Sequence, residues 1–115
     1  MKYVLLFCGT RADQQAFDAL SPDELRARYA EVGRWFQQNG PRILESQQLQ
    51  GPDSATMVRF GQDGQVTITD GPFIETNEIV GGYTTVEVAN LDEALSMARS
   101  WPGRGVVEIR PVMTR

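Results

Sequence analysis

Asp70 and Glu75 stand close together in one stretch of the chain, Thr69 to Tyr83, T-D-G-P-F-I-E-T-N-E-I-V-G-G-Y. Two carboxylates brought into one pocket can divide the work of acid–base chemistry. One is raised in pKa and carries the proton while the other stays ionised. Asp70 also has a plain reading as a turn residue before glycine. The usual turn bond, from the side chain to the N–H two residues on, is closed to it because Pro72 has no N–H. Its carboxylate must find Gly71, Phe73, a distant donor or water, so the structural and functional readings both stay open. Glu75 reads most simply as a solvated side chain. Around these acids, Phe73 offers an apolar wall or a core or dimer contact. Tyr3 and Tyr83 offer hydroxyls, and Arg59 offers a cation for an anionic ligand. Packed rings with satisfied hydroxyls and a surface ion pair are the plainer readings of these residues.

What the chain lacks narrows the chemistry further. It has no histidine and one cysteine, Cys8. Ser-His and Cys-His nucleophile pairs are excluded, and a zinc or other transition-metal site has almost no ligands to draw on. Gly81-Gly82 suits a bulge or a close backbone approach, and it has none of the G-x-G-x-x-G spacing that phosphate binding needs. No cofactor is implied. With 11 basic and 15 acidic side chains, a net charge of −4 disfavours direct nucleic-acid binding. The longest apolar run, Tyr3 to Cys8, is far short of a membrane span. No signal-peptide pattern precedes it. A lone cysteine that reads as a buried strand thiol completes the expectation of a cytoplasmic protein.

The elements that must position these residues fit one domain over 1–115. Lys2 to Gly9 is apolar on both faces, as a central strand is. Thr10 to Leu20 is polar and reads as a loop or irregular turn. Ser21-Pro22-Asp23-Glu24 is a capping box with proline at the first helical position. From it the stripe Leu25, Tyr29, Val32, Phe36 predicts a helix that Asn39-Gly40-Pro41 ends. Arg42 to Gln50 reads as a strand carrying Ile43 or Leu44 inward. Ala55 to Phe60 and Gln65 to Thr69 flank a tight turn with Asp63-Gly64 at its tip. Gly82 to Val88 is a β-branched strand. Asn90-Leu91-Asp92-Glu93 opens a second helix with the face Leu91, Ala94, Leu95, Ala98. Trp35 and Trp101 fall at the margins of these stripes. Val106 to Met113 is a last strand whose Pro111 places that end at a sheet edge or past the pairing.

This order predicts an α+β fold. It is a ferredoxin-like βαββαβ plan with an inserted β-hairpin, and both helices lie on one face of an antiparallel sheet. Because the first strand is apolar on both faces, the face away from the helices also needs cover. A second copy of the chain, packed sheet against sheet, supplies it.

At Asp70-Gly71-Pro72-Phe73 the chain resembles the YCII-related superfamily, and within it the group named for the D-G-P-F motif. The likeness runs over nearly the whole length. It takes in the K-Y-V-L-L start, the S-P-D-E helix, T-D-G-P-F-I-E-T, G-G-Y, L-D-E-A and the closing V-E-I-R-P-V. The resemblance implies a dimeric α/β-barrel of ferredoxin-like type whose biochemical function is largely unassigned. It also implies association with extracytoplasmic-function sigma factors, beside or fused to which members often lie. Relatives carry a histidine–aspartate pair proposed as an active site. The aspartate transfers onto Asp70, but this chain has no histidine to pair with it.

Two functions follow as expectations, and they stand nearly level. The first is a homodimer with a small-molecule cleft near Asp70. There Asp70 and Glu75 are candidate acid–base groups, and Arg59, Phe73, Tyr83 and Tyr3 are candidate ligand contacts. The second is a non-catalytic dimeric module that binds a protein partner, such as a sigma factor, in signalling or transcription. Whether the chain is an enzyme is left open between them.

Overall fold

Residues 1–71 and 78–115 are described in the computed structural model, which is built on one four-stranded antiparallel sheet. Its strands are β1 (Lys2–Gly9), β2 (Ile43–Gln48), β5 (Ile79–Glu87) and β6 (Val106–Pro111), in the order β2-β5-β1-β6. That order is the ferredoxin-like one, with the first strand inside. β1 has β5 on one side and β6 on the other, as its two apolar faces predict. β3 (Thr56–Phe60) and β4 (Val66–Asp70) form a separate two-stranded hairpin inserted between β2 and β5. At its tip Gly64 takes a left-handed φ of 82°, and Asp63 Oδ1 accepts from the Gln65 N–H at 3.1 Å. This is the turn chemistry that Asp-Gly encodes.

Three α-helices are present among the described residues, one more than the sequence predicts. The segment read as a loop contains α1 (Arg11–Asp18), capped by Thr10. The Thr10 side chain accepts from the Asp13 N–H at 3.1 Å, and Asp13 Oδ2 accepts from the Thr10 N–H at 2.9 Å. This is a capping box closed by aspartate where glutamate is usual. α2 (Pro22–Asn39) starts on the predicted box, with Ser21 and Glu24 exchanging bonds of 3.0 and 3.2 Å. Those bonds lower the Glu24 pKa, the backbone one contributing most. α3 (Leu91–Arg99) is capped by Asn90, which accepts from the Glu93 N–H. Its box stays half-made, because the Glu93 carboxylate pairs with Arg42 at 2.9 Å.

The core lies between the sheet and α2 and α3. Tyr3, Leu5, Trp35, Val86, Val88, Ala94 and Met97 are its buried members. The register explains the strand choices, since Leu5 faces Thr84 and Ile109 while Phe7 faces Gly82 and Val107. The helical stripe differs from expectation. Trp35, placed at the margin by the sequence, is 2 % exposed at the centre, whereas Tyr29 is largely exposed. The indole N–H reaches the Met97 carbonyl at 3.0 Å and Ser100 Oγ at 3.1 Å, which removes the penalty of burying it. On α3 the inward residues are Ala94 and Met97, with Leu91 and Leu95 turned toward solvent. Of the two candidates in β2, Ile43 packs on the core and Leu44 is exposed.

Candidate functional site

A large cleft of about 1180 Å³ opens on the helix side of the sheet. Its floor is the end of β1 from Phe7 to Gly9, Gly81 and Gly82 of β5, and the run from Ser46 to Gln50. Its walls are α1, the Arg28–Phe36 face of α2, and the loop from Trp101 to Arg104. The floor is made by a register shift in the β1–β5 pairing between Phe7 and Cys8. Gly82 is buried there against β2, where a side-chain carbon would come within 2.9 Å of the Gln47 carbonyl oxygen. The glycine is thus required by the strand packing itself.

The lining combines an aromatic surface with a few polar groups. Phe7 and Trp101 stack with centroids 4.1 Å apart, and Phe17 meets Tyr29 edge-on at 6.4 Å. The Tyr29 hydroxyl exchanges with the Gln48 side-chain amide, which donates to it at 3.2 Å. Two acids of the lining are engaged. Asp13 is held by its capping bonds to Thr10, and Asp18 accepts from Gln14 Nε2 at 3.0 Å. Arg28 is half-buried in the wall. It forms no ion pair or hydrogen bond among the described residues, unlike Arg26, Arg42 and Arg110, which pair with Asp23, Glu93 and Glu108. Cys8 is buried at the floor, and its thiol is pushed up in pKa by burial first, then by Glu78 and Glu108.

The residues singled out in the sequence lie elsewhere. Asp70 ends β4 on the exposed hairpin, where its Oδ1 accepts from Thr56 Oγ1 at 3.1 Å, its opposite number in the ladder. Arg59 is exposed on β3. Tyr83 is half-buried on β5 and donates to Glu45 Oε1 at 3.0 Å. That bond, followed by desolvation and the Glu45 charge, raises its pKa. Tyr3 is 5 % exposed within the core. Phe73 and Glu75 lie outside the described residues. None of Asp70, Arg59, Tyr83 and Tyr3 lines the large cleft. Arg28, Trp101 and the α1 wall of the cleft are not among the residues that the sequence marks as a site. The spacing of Thr10 and Asp13 was the available signal for that wall.

The amino-acid sequence that folds this way matches a family model over nearly its whole length. The YCII-related domain model covers residues 1–114. The chain belongs to the YCII-related family. A curated relative, an uncharacterised protein of Rhizobium meliloti (strain 1021), is 37 % identical over 65 residues, covering 53 % of this chain and 52 % of its own. The chain thus spans about half the length of that relative. Among the described residues of this YCII-related protein, no group of three or more Cys, Asp or Glu side chains is arranged to hold a metal ion. No helix among them is long and apolar enough to cross a membrane.

Proposed function

We propose that this YCII-related chain is a cytoplasmic homodimer that binds a small molecule in the helix-side cleft, and that it works by binding rather than by acid–base turnover. The observation that carries the reading is the cleft itself. It has the size and mixed aromatic and polar lining of a ligand site, while of its three acids Asp13 and Asp18 are committed to local hydrogen bonds and Asp53 is exposed to solvent. Acid–base chemistry at Asp70 is the weaker reading. Its carboxylate stands on an exposed hairpin rung beside Thr56, with nothing enclosing it among the described residues. Membership of the D-G-P-F group rests on the motif in the sequence.

The dimer has its own support. Val58, Phe60, Val66 and Ile68 form two facing pairs of the hairpin ladder and so share one face. Phe60 is 81 % and Ile68 68 % exposed. The Cα radius of gyration is 16.3 Å, where a compact chain of this length has about 13 Å. An apolar face on a projecting hairpin is covered most economically by a second copy. The same face would also fit a different protein, such as a sigma factor, and a monomer in solution would favour that alternative.

A ligand-observed NMR screen of small organic fragments against wild type and Val32→Trp tests the cleft. Val32 lines it, so the larger ring fills the space. Fragment signals are expected with wild type and not with a folded Val32→Trp protein. Equal binding to both would move the site elsewhere.

A further inference from the structure

We infer that the occupant of this cleft is an organic anion with a flat apolar body, such as an aromatic carboxylate, and that Arg28 holds its acid group. The inference rests on the binding reading above and names its ligand class. Arg28 is half-buried as a residue, and a guanidinium at a partly desolvated wall is stabilised by an anion or a set of acceptors. Arg28 has neither among the described residues, although the three other arginines named above each meet a carboxylate. Its planar fork matches a carboxylate in two parallel bonds. The acids sharing the cleft do not fill this role, because Asp13 is turned to Thr10, Asp18 to Gln14, and the exposed Asp53 forms no ion pair with Arg28.

The rest of the lining describes the body of the ligand. Arg28 and its neighbour Tyr29 lie on the α2 wall, while Phe7 and Trp101 present the stacked surface across the floor and the far loop. A flat ring laid against those aromatics gains stacking and apolar burial together. The Tyr29–Gln48 pair beside Arg28 holds donors and acceptors of both kinds, which suits a second polar substituent on the same molecule. Arg104 also lines the cleft, at the Trp101 loop, and adds a positive field of longer range.

Calorimetric titration with 2-naphthoate and its neutral amide, 2-naphthamide, tests this on wild type, Arg28→Gln and Arg28→Lys. The acid is expected to bind wild type at least tenfold more tightly than the amide. Arg28→Gln should abolish that preference while leaving amide binding unchanged, and Arg28→Lys should retain part of it. If acid and amide bind wild type equally and Arg28→Gln changes neither, the anion assignment fails while the cleft reading stands. If neither probe binds wild type and the fragment screen is also blank, both fall. Circular dichroism of each variant separates these outcomes from misfolding.

Discussion

Trp101 stacks on Phe7 with 26° between their planes, and it meets Trp35 edge-on at 5.0 Å. The cleft surface is therefore continuous with the core, through two rings that each touch the buried indole. A ligand against Phe7 and Trp101 changes the surroundings of Trp101 while Trp35 stays enclosed. Titration of Trp35→Phe with a saturated cyclic carboxylate should shift or quench the remaining indole emission, and Trp101→Phe should show little change. Trp35→Ala is a different matter. It should destabilise the fold by about 3–5 kcal/mol, as truncation of a buried tryptophan does, measured by urea unfolding.

The exposed hairpin face predicts a concentration-dependent assembly. Phe60→Asp or Ile68→Lys should convert a dimer to a monomer in sedimentation velocity, with far-ultraviolet circular dichroism little changed. A dimer that survives both substitutions would exclude this face as the contact.

Cys8 should react slowly. Thiolate is the reactive form, and burial together with Glu78 and Glu108 holds the thiol protonated. Because the folded pKa is raised, the protonated thiol's contribution to stability is complete below the unfolded value of about 8.5. It is lost as pH rises through the folded value. Alkylation by iodoacetamide should be slower in the native chain than in urea at mildly alkaline pH. In Glu108→Gln the rise in native rate should move to lower pH. Equal rates folded and unfolded would contradict the burial.

Tyr83 titrates in the same sense, for a different cause. Its hydrogen bond to Glu45 raises its pKa, so the pair stabilises the fold below the unfolded tyrosine value of about 10. That contribution disappears as pH climbs through the raised one. Ultraviolet difference titration of wild type against Tyr83→Phe isolates this hydroxyl among the three tyrosines. In Glu45→Gln its midpoint should fall back toward the ordinary value.

Most of the fold was legible because it is written in local signals. The Ser21–Glu24 box, the two-faced apolar run of β1, the Asp63-Gly64 turn and Pro111 at the edge strand each fix a local conformation. α1 was missed because Asp13 closes its box in place of glutamate, and because few apolar residues mark its face. Trp35 was misplaced because helical spacing alone allowed a stripe one position away. The site was less legible still. Its surface draws on α1, α2, three strands and the loop after α3, and no local pattern reports which of these meet. Asp70 drew attention by its proline-restricted turn, a local feature that tells nothing of enclosure.

The place of β1 in the sheet also bears on how the chain is made. Tyr3 pairs with Val86 on one side and Pro111 on the other, so β1 is flanked by two strands that are both synthesised well after it. Throughout synthesis of the intervening residues, both edges of an apolar strand stay unpaired, a state prone to association with other chains. Contacts spanning nearly the whole sequence also slow closure of the sheet once the chain is released. The nascent protein is thus expected to need shielding of β1 until translation has passed β6, and truncation before Val106 should leave it a substrate for chaperones.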